Sequence, residues 1–196
     1  MKVIGLTGGA GSGKSTVADI IVKNFKVYAI YTDEIARRQM QKGGASYDGV
    51  VKEFGEDILL ENKEIDRKKL AMIVFADEKK LLRLNELTHP QVLIEVHATI
   101  ERLREEGNYQ AVLVETALLK EAGYVSFCDE IWYVYASEEE RRERLKTTRG
   151  YSDAKIDDLF SKQKKDAEFR EYCTNIIYNE KGNTKENIIK QISKLL

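Results

Sequence analysis

Residues Met1–Thr16 read MKVIGLTGGAGSGKST, and within them Gly8–Ser15, GGAGSGKS, fits the pattern G-x-x-x-x-G-K-[ST]. That pattern joins a strand to a helix through a glycine-rich turn whose backbone N–H groups point inward on phosphates. Its surroundings suit it. Val3–Leu6 is a short apolar strand, and Ser15–Phe25 has helical spacing at Val17, Ala18, Ile21 and Phe25. The following helix offers its N-terminus to negative charge. Candidate nucleotide ligands are therefore Gly9, Ala10, Gly11, Ser12, Gly13, Lys14, Ser15 and Thr16. Lys14 is expected to reach the β- and γ-phosphates, and the Ser15 hydroxyl to ligate Mg²⁺.

Outward from the loop, strands and helices alternate. Lys26–Ile30 is a second strand, Ala111–Glu115 and Ile131–Ala136 are strands of buried type, and Thr174–Tyr178 is a fifth. Pro90 is expected to start a helix that ends near Gly107. Ser137 with Glu140 reads as a capping box, and Asn183 with Glu186 as the start of the last helix. This alternation predicts an α/β fold, a five-stranded parallel sheet covered by helices on both faces. The core is expected over residues 1–33 and 108–196. The long helical stretch 34–107 is expected to cover the second substrate, and residues 141–165 to form a small lid.

At 196 residues, with 42% apolar residues and a formal net charge of −1, the chain has room for one domain with a sizeable core. The charge balance argues against nucleic-acid or anionic-membrane partners, which require a basic surplus. No apolar run approaches a membrane span, and the N-terminus does not read as a signal peptide. Cys128 and Cys173 form no CxxC pair and read as thiols of a reducing cytosol. A cytoplasmic protein, monomeric or weakly homo-oligomeric, is expected.

The loop alone does not say where a terminal phosphate goes. A GTPase switch would want D-x-x-G and N-K-x-D, but Asp48 precedes Gly49 directly and Asn62-Lys63 leads into Glu64-Ile65. An ABC-type ATPase would want L-S-G-G-Q, which is absent. A small-molecule kinase wants an acid after the second strand, an acceptor pocket and an arginine-bearing lid. Asp33 follows the second strand, where the crevice of an open parallel sheet lies. It can accept a hydrogen bond and then a proton from an acceptor hydroxyl; its plainer reading is an N-cap for the next helix. Arg141, Arg142, Arg144 and Arg149 lead into Gly150, a hinge candidate. Arginine supplies forked, charge-assisted bonds to a transferring phosphoryl group, although at least two of these four belong to an ordinary solvated face.

Together these pieces resemble the dephospho-coenzyme A kinase family over nearly the whole chain. The likeness runs through IGLTGGAGSGKST and Thr32–Arg37, TDEIAR. It is densest in Phe54–Pro90, with its phenylalanine-glycine start, D-R-x-x-L helix and closing His-Pro. ETALLKEAGY, Glu115–Tyr124, resembles the family's acidic-x-P-L-L-F-E-x-G segment. Gln163 and Asn179 fall where the family has a last-helix Gln and an Asn-rich turn near the adenine.

The resemblance implies transfer of the ATP γ-phosphate, with Mg²⁺, to the ribose 3′-hydroxyl of dephospho-CoA. It implies Asp33, Lys14 and Arg144 as the catalytic set, and Arg149 and Asn179 on the ATP side. Arg37, His89, Leu118 and Glu121 would line the acceptor side with Asp33. The plainer reading of His89 is a cap for the long helix. The chain departs from the family where D-A-D is replaced by Tyr31-Thr32-Asp33, and where Ala117 and Lys120 replace a proline and a phenylalanine. Thr148-Arg149-Gly150 replaces R-D-G, which moves the second lid arginine by one position, and Phe169 stands where a basic residue is frequent. Two rivals remain: another P-loop nucleoside or nucleotide kinase with a diverged acceptor site, and a non-catalytic ATP-binding module.

Overall fold

The computed structural model describes residues 1–119 and 122–196. Five strands, β1 (Lys2–Thr7), β2 (Val27–Tyr31), β3 (Ala111–Glu115), β4 (Glu130–Tyr135) and β5 (Asn175–Tyr178), form one sheet in the order β2-β3-β1-β4-β5. The sheet is parallel and surrounded by helices, as the alternation predicts. Val3–Thr7 are buried without exception, which suits the central strand of such a sheet. The register sets Leu6 opposite Glu115 on one side and Trp132 on the other. The last residues of β1 and β3 therefore reach the same end of the sheet.

The chain divides into two compact units, one of Met1–Ile30 with Leu103–Leu196 and one of Tyr31–Arg102. In the first, α1 (Lys14–Asn24) leaves the glycine loop directly. The second begins with α2 (Thr32–Gln39) and continues through α3 (Tyr47–Phe54) and α4 (Arg67–Phe75). It has its own apolar core of Tyr47, Val50, Ile58, Ile65, Leu70 and Val74. Asp66 caps α4 by accepting from the Lys68 and Lys69 N–H groups.

The proline helix differs from its sequence expectation. Helix α5 runs Glu78–Glu106 with Pro90 inside it, so neither Pro90 nor His89 caps its start. The start is held by Asp77, whose carboxylate accepts from Lys79 N–H at 2.9 Å. An interior proline removes one helix bond and costs about 3 kcal/mol. Against that, Thr88, Val92, Val96, Ile100 and Leu103 form a continuous buried stripe at helical spacing on both sides of the proline. Burying four such aliphatic side chains contributes about 6 kcal/mol or more, which keeps the helix unbroken.

The rest of the first unit comprises α6 (Glu138–Arg149), α7 (Asp153–Ser161), α8 (Asp166–Arg170) and α9 (Lys185–Ile192). Ser137 caps α6 through the Glu140 N–H. Glu140 does not complete a capping box, because its carboxylate takes the Lys181 N–H and pairs with Arg144. The cap of α9 is Thr184, one residue beyond the expected Asn183, whose side chain instead donates to the Tyr178 carbonyl at 2.9 Å.

Candidate active site

The loop between β1 and α1 is fixed by its own backbone and by three later segments of the chain. Gly13 caps α1 at φ +85°, a conformation that disfavours any side chain. A Cβ there would also run into the Asn179 side chain. Asn179, just after β5, donates to the Ser12 carbonyl at 2.7 Å. Arg144 of α6 donates to the Gly11 and Ser12 carbonyls at 3.4 and 3.2 Å and to the Asn179 carbonyl at 2.7 Å. These bonds hold carbonyl oxygens away from the side on which phosphates would bind. Two of the loop's N–H groups are also taken inside the chain, Ser12 N–H by the Gly9 carbonyl at 3.1 Å and Ala10 N–H by Gln163 Oε1 at 3.1 Å; anion binding draws on the others.

Lys14 donates to the Gly8 carbonyl at 2.7 Å, so its ammonium lies beside the start of the loop. Ser15 Oγ stands 3.5 Å from Glu115 Oε1, the last residue of β3. Glu115 is 7% exposed, and the pair offers a hydroxyl and a carboxylate oxygen at the first turn of α1. Thr7 Oγ1 and Ser12 Oγ, both buried at the loop, make no hydrogen bond among the described residues.

Sequence reasoning singles out Ser15 but misses Glu115. The available signal is its place, a carboxylate ending a wholly apolar parallel strand at the ligand-facing end of the sheet. It also gives no separate role to Arg141, which donates through Nε to the Ala10 carbonyl at 2.9 Å and through Nη2 to Gln163 at 2.7 Å. Of the remaining lid residues, Arg149 ends α6, exposed, directly before Gly150 at φ +62°. Arg142 is bound to Asp153 and Asp157 and ties α6 to α7.

The expected acceptor residues Asp33, Arg37 and His89 belong to the second unit. Asp33 lies in the first turn of α2, whose cap position is Tyr31, so Asp33 is not an N-cap. Asp33 and Arg37 are both exposed and, four residues apart, share one face of the helix. His89 is half-buried within α5, and burial pulls its imidazole below the ordinary histidine range, which keeps it neutral near pH 7. In the first unit, Leu118 is 41% exposed. Glu121 and Lys120 lie outside the described residues.

A family profile described as dephospho-CoA kinase matches residues 2–186. The chain belongs to the dephospho-CoA kinase family. A Carboxydothermus hydrogenoformans dephospho-CoA kinase is 43% identical over 152 residues, 78% of this chain and 73% of that relative. An Aquifex aeolicus dephospho-CoA kinase is 37% identical over 195 residues, 100% of this chain and 96% of the relative. A solved Thermus thermophilus structure superposes with a TM-score of 0.84 at 26% identity, covering 99% of this chain and 95% of the other. Dephospho-CoA kinase from Campylobacter jejuni (TM-score 0.69, 23% identity, 100% and 98% covered) shares the fold. So does shikimate kinase from Acinetobacter baumannii (0.59, 15%, 100% and 93%).

Membership makes the chain an ATP-dependent kinase, and such phosphoryl transfer generally uses a divalent metal. The residues fit one. Ser15 Oγ and Glu115 Oε1 are hard oxygen donors, one carboxylate among them, beside a loop built for phosphates. Mg²⁺ characteristically takes one or two protein oxygens and completes its shell from phosphates and water. No helix among the described residues is long and apolar enough to cross a membrane.

Proposed function

We propose that this chain transfers the γ-phosphate of ATP to the ribose 3′-hydroxyl of dephospho-CoA, giving coenzyme A and ADP. Phosphorylation of dephospho-CoA by ATP, the last step of coenzyme A biosynthesis, is the family's reaction. The observation that carries the residue-level reading is the Gly8–Ser15 loop with Lys14 at its mouth and Glu115 beside Ser15.

On this reading the Gly9–Thr16 segment, through those of its N–H groups not bound within the chain, and the Lys14 ammonium bind the nucleotide's phosphates. Asn179 and Arg144 hold the loop's carbonyls back, and Arg149 closes on the nucleotide from the end of α6. Ser15 and Glu115 would hold Mg²⁺, which when bound offsets charge on the β- and γ-phosphates. Asp33 accepts the proton of the 3′-hydroxyl and orients it for in-line attack. Arg37, neutral His89, Leu118 and Glu121 contact the acceptor. The new O–P bond forms at the ribose oxygen as the bond to ADP breaks. A cytoplasmic location accords with the two free thiols, and a monomer or weak homo-oligomer is proposed with it.

The test is ADP release with ATP and Mg²⁺, with and without dephospho-CoA, with the product identified by mass. Release that depends on dephospho-CoA and adds one phosphate to it is expected. Release indifferent to dephospho-CoA, with no phosphorylated product, would place the acceptor elsewhere. Nucleotide binding with no turnover on any acceptor would leave a binding module.

A further inference from the structure

The first unit contains a second arginine at the loop whose surroundings differ from those of Arg144. A Cβ on Gly9 would lie 2.5 Å from Arg141 Nη2, so the guanidinium rests directly on the Gly9 backbone. Its other face meets the Phe160 ring, 4.4 Å from the centroid. Nε is bound to the Ala10 carbonyl and Nη2 to Gln163 Oε1, and that same Oε1 accepts from the Ala10 N–H at 3.1 Å. Gln163 thus fixes both the arginine and the loop residue beneath it.

A guanidinium carries five N–H donors. Two of Arg141's are bound, and its Nη1 makes no hydrogen bond among the described residues. Arg144, by contrast, directs both terminal nitrogens at carbonyl oxygens. Burial pulls Arg141 below the usual arginine range, while Tyr133, Glu138 and Asp166 pull it back up. A partly desolvated cation with donors in hand calls for an anion.

The position says which one. Lys14, the residue that serves β- and γ-phosphates, sits on the Gly8 carbonyl. The Gly8–Ala10 side of the loop is therefore its terminal-phosphate side, and Arg141 lies on Gly9 and Ala10.

We propose that Arg141 is a ligand of the ATP terminal phosphate, preset for it by Gln163 and Phe160. The assignment rests on the kinase reading above. Arg141 needs no movement of α6 to reach the loop, so the phosphate-side charge is in place before the nucleotide arrives. Gln163 is a positioning residue that acts through Arg141.

The experiment compares the Kd of ATP and of ADP, each with Mg²⁺, for the full chain and for Arg141→Leu, Arg141→Lys, Gln163→Leu and Arg142→Ala. Loss of a charge-assisted bond to the terminal phosphate weakens ATP by about tenfold or more. ADP, which lacks that phosphate, should change by less than about threefold on the same arithmetic. Arg141→Lys keeps the charge and should recover part of the loss, Gln163→Leu should shift the ATP-to-ADP ratio in the same direction by less, and Arg142→Ala should leave it unchanged. Equal weakening of ATP and ADP would make Arg141 a brace of the loop only, and an unmoved ratio in Arg141→Leu would also overturn the proposal. Unaltered-chain phosphorylation of dephospho-CoA is measured beside it. Failure there with the ratio shift intact removes the acceptor and leaves Arg141 in place.

Discussion

The nucleotide loop and the acceptor-side helix α2 carry their functional residues in opposite ways. Around the loop, carbonyls of Ala10, Gly11 and Ser12 are each bound by an arginine or asparagine from α6 or the turn after β5. Asp33 and Arg37 stand exposed on a two-turn helix whose buried residues are Thr32, Ile35 and Gln39. A triphosphate is the same in every kinase, so a rigid cradle loses nothing and avoids reorganisation when charge develops. An acceptor must be admitted, oriented and released, and exposed groups on a separate unit suit that cycle.

The largest effect is expected where the rigid region touches the reacting phosphate. Lys14→Ala removes the ammonium and its bond to the Gly8 carbonyl while leaving the braces on the Ala10, Gly11 and Ser12 carbonyls intact. Turnover should fall about a thousandfold, in the range seen when one preorganised charge donor is lost. Steady-state ADP release at saturating dephospho-CoA measures it. Turnover within tenfold of the unaltered chain would mean the loop does not serve the transferring phosphate.

Asp33→Asn probes the exposed region. The amide keeps the shape and cannot take a proton, so kcat should fall about a hundredfold. The Kd for ATP should stay within about twofold, because the loop's carbonyls are held by Arg141, Arg144 and Asn179. A parallel loss of ATP affinity would show that Asp33 acts on the nucleotide rather than on the hydroxyl.

These two residues also show how far the sequence could be read. The strand–loop–helix that holds Lys14 and Ser15, and all five strands, are legible because each depends on neighbours within a few positions: a loop pattern, or a short apolar run. Asp33 was legible as the carboxylate after β2. Its alternative as an N-cap fails because the helix starts one residue earlier, at Thr32. Glu115 carries no role in the sequence and Arg141 is only one of four lid arginines there, since their partners lie 100 and 131 positions away and the fold alone brings them to the loop. Pro90 misled for a different reason. Local proline chemistry says helix start, and the buried stripe from Thr88 to Leu103 outweighs it.

A smaller effect separates the regions by stability. Ile58 is fully buried in the core of the second unit. Ile58→Ala should cost about 2–5 kcal/mol of unfolding free energy. Below the melting temperature ATP affinity should stay near that of the unaltered chain, while the KM for dephospho-CoA rises. Urea unfolding and ATP titration at 15 °C report the two arms. Equal loss of both substrates would show that the loop depends on the packing of the helical unit.

The smallest effect concerns His89, whose half-buried place in α5 sets it apart from exposed Asp33. Burial lowers its pKa in the folded chain, whereas in the unfolded chain it returns to about 6.5. As pH falls through that value, the unfolded state takes up the proton first, so stability drops with falling pH and is fully present above about pH 7. Exposure to solvent keeps the contribution modest. The urea midpoint of the unaltered chain should therefore drop slightly more between pH 7.5 and pH 5.5 than that of His89→Gln. Identical drops would mean the imidazole titrates alike in both states and the burial has no consequence for proton binding. The same pair of proteins sharpens the acceptor reading. A neutral His89 can donate or accept a hydrogen bond but supplies no charge, so the KM for dephospho-CoA should rise in His89→Gln by a factor that is the same at pH 7 and pH 8. A factor that grows as the pH is lowered would instead mark a protonated His89 binding the acceptor's phosphates.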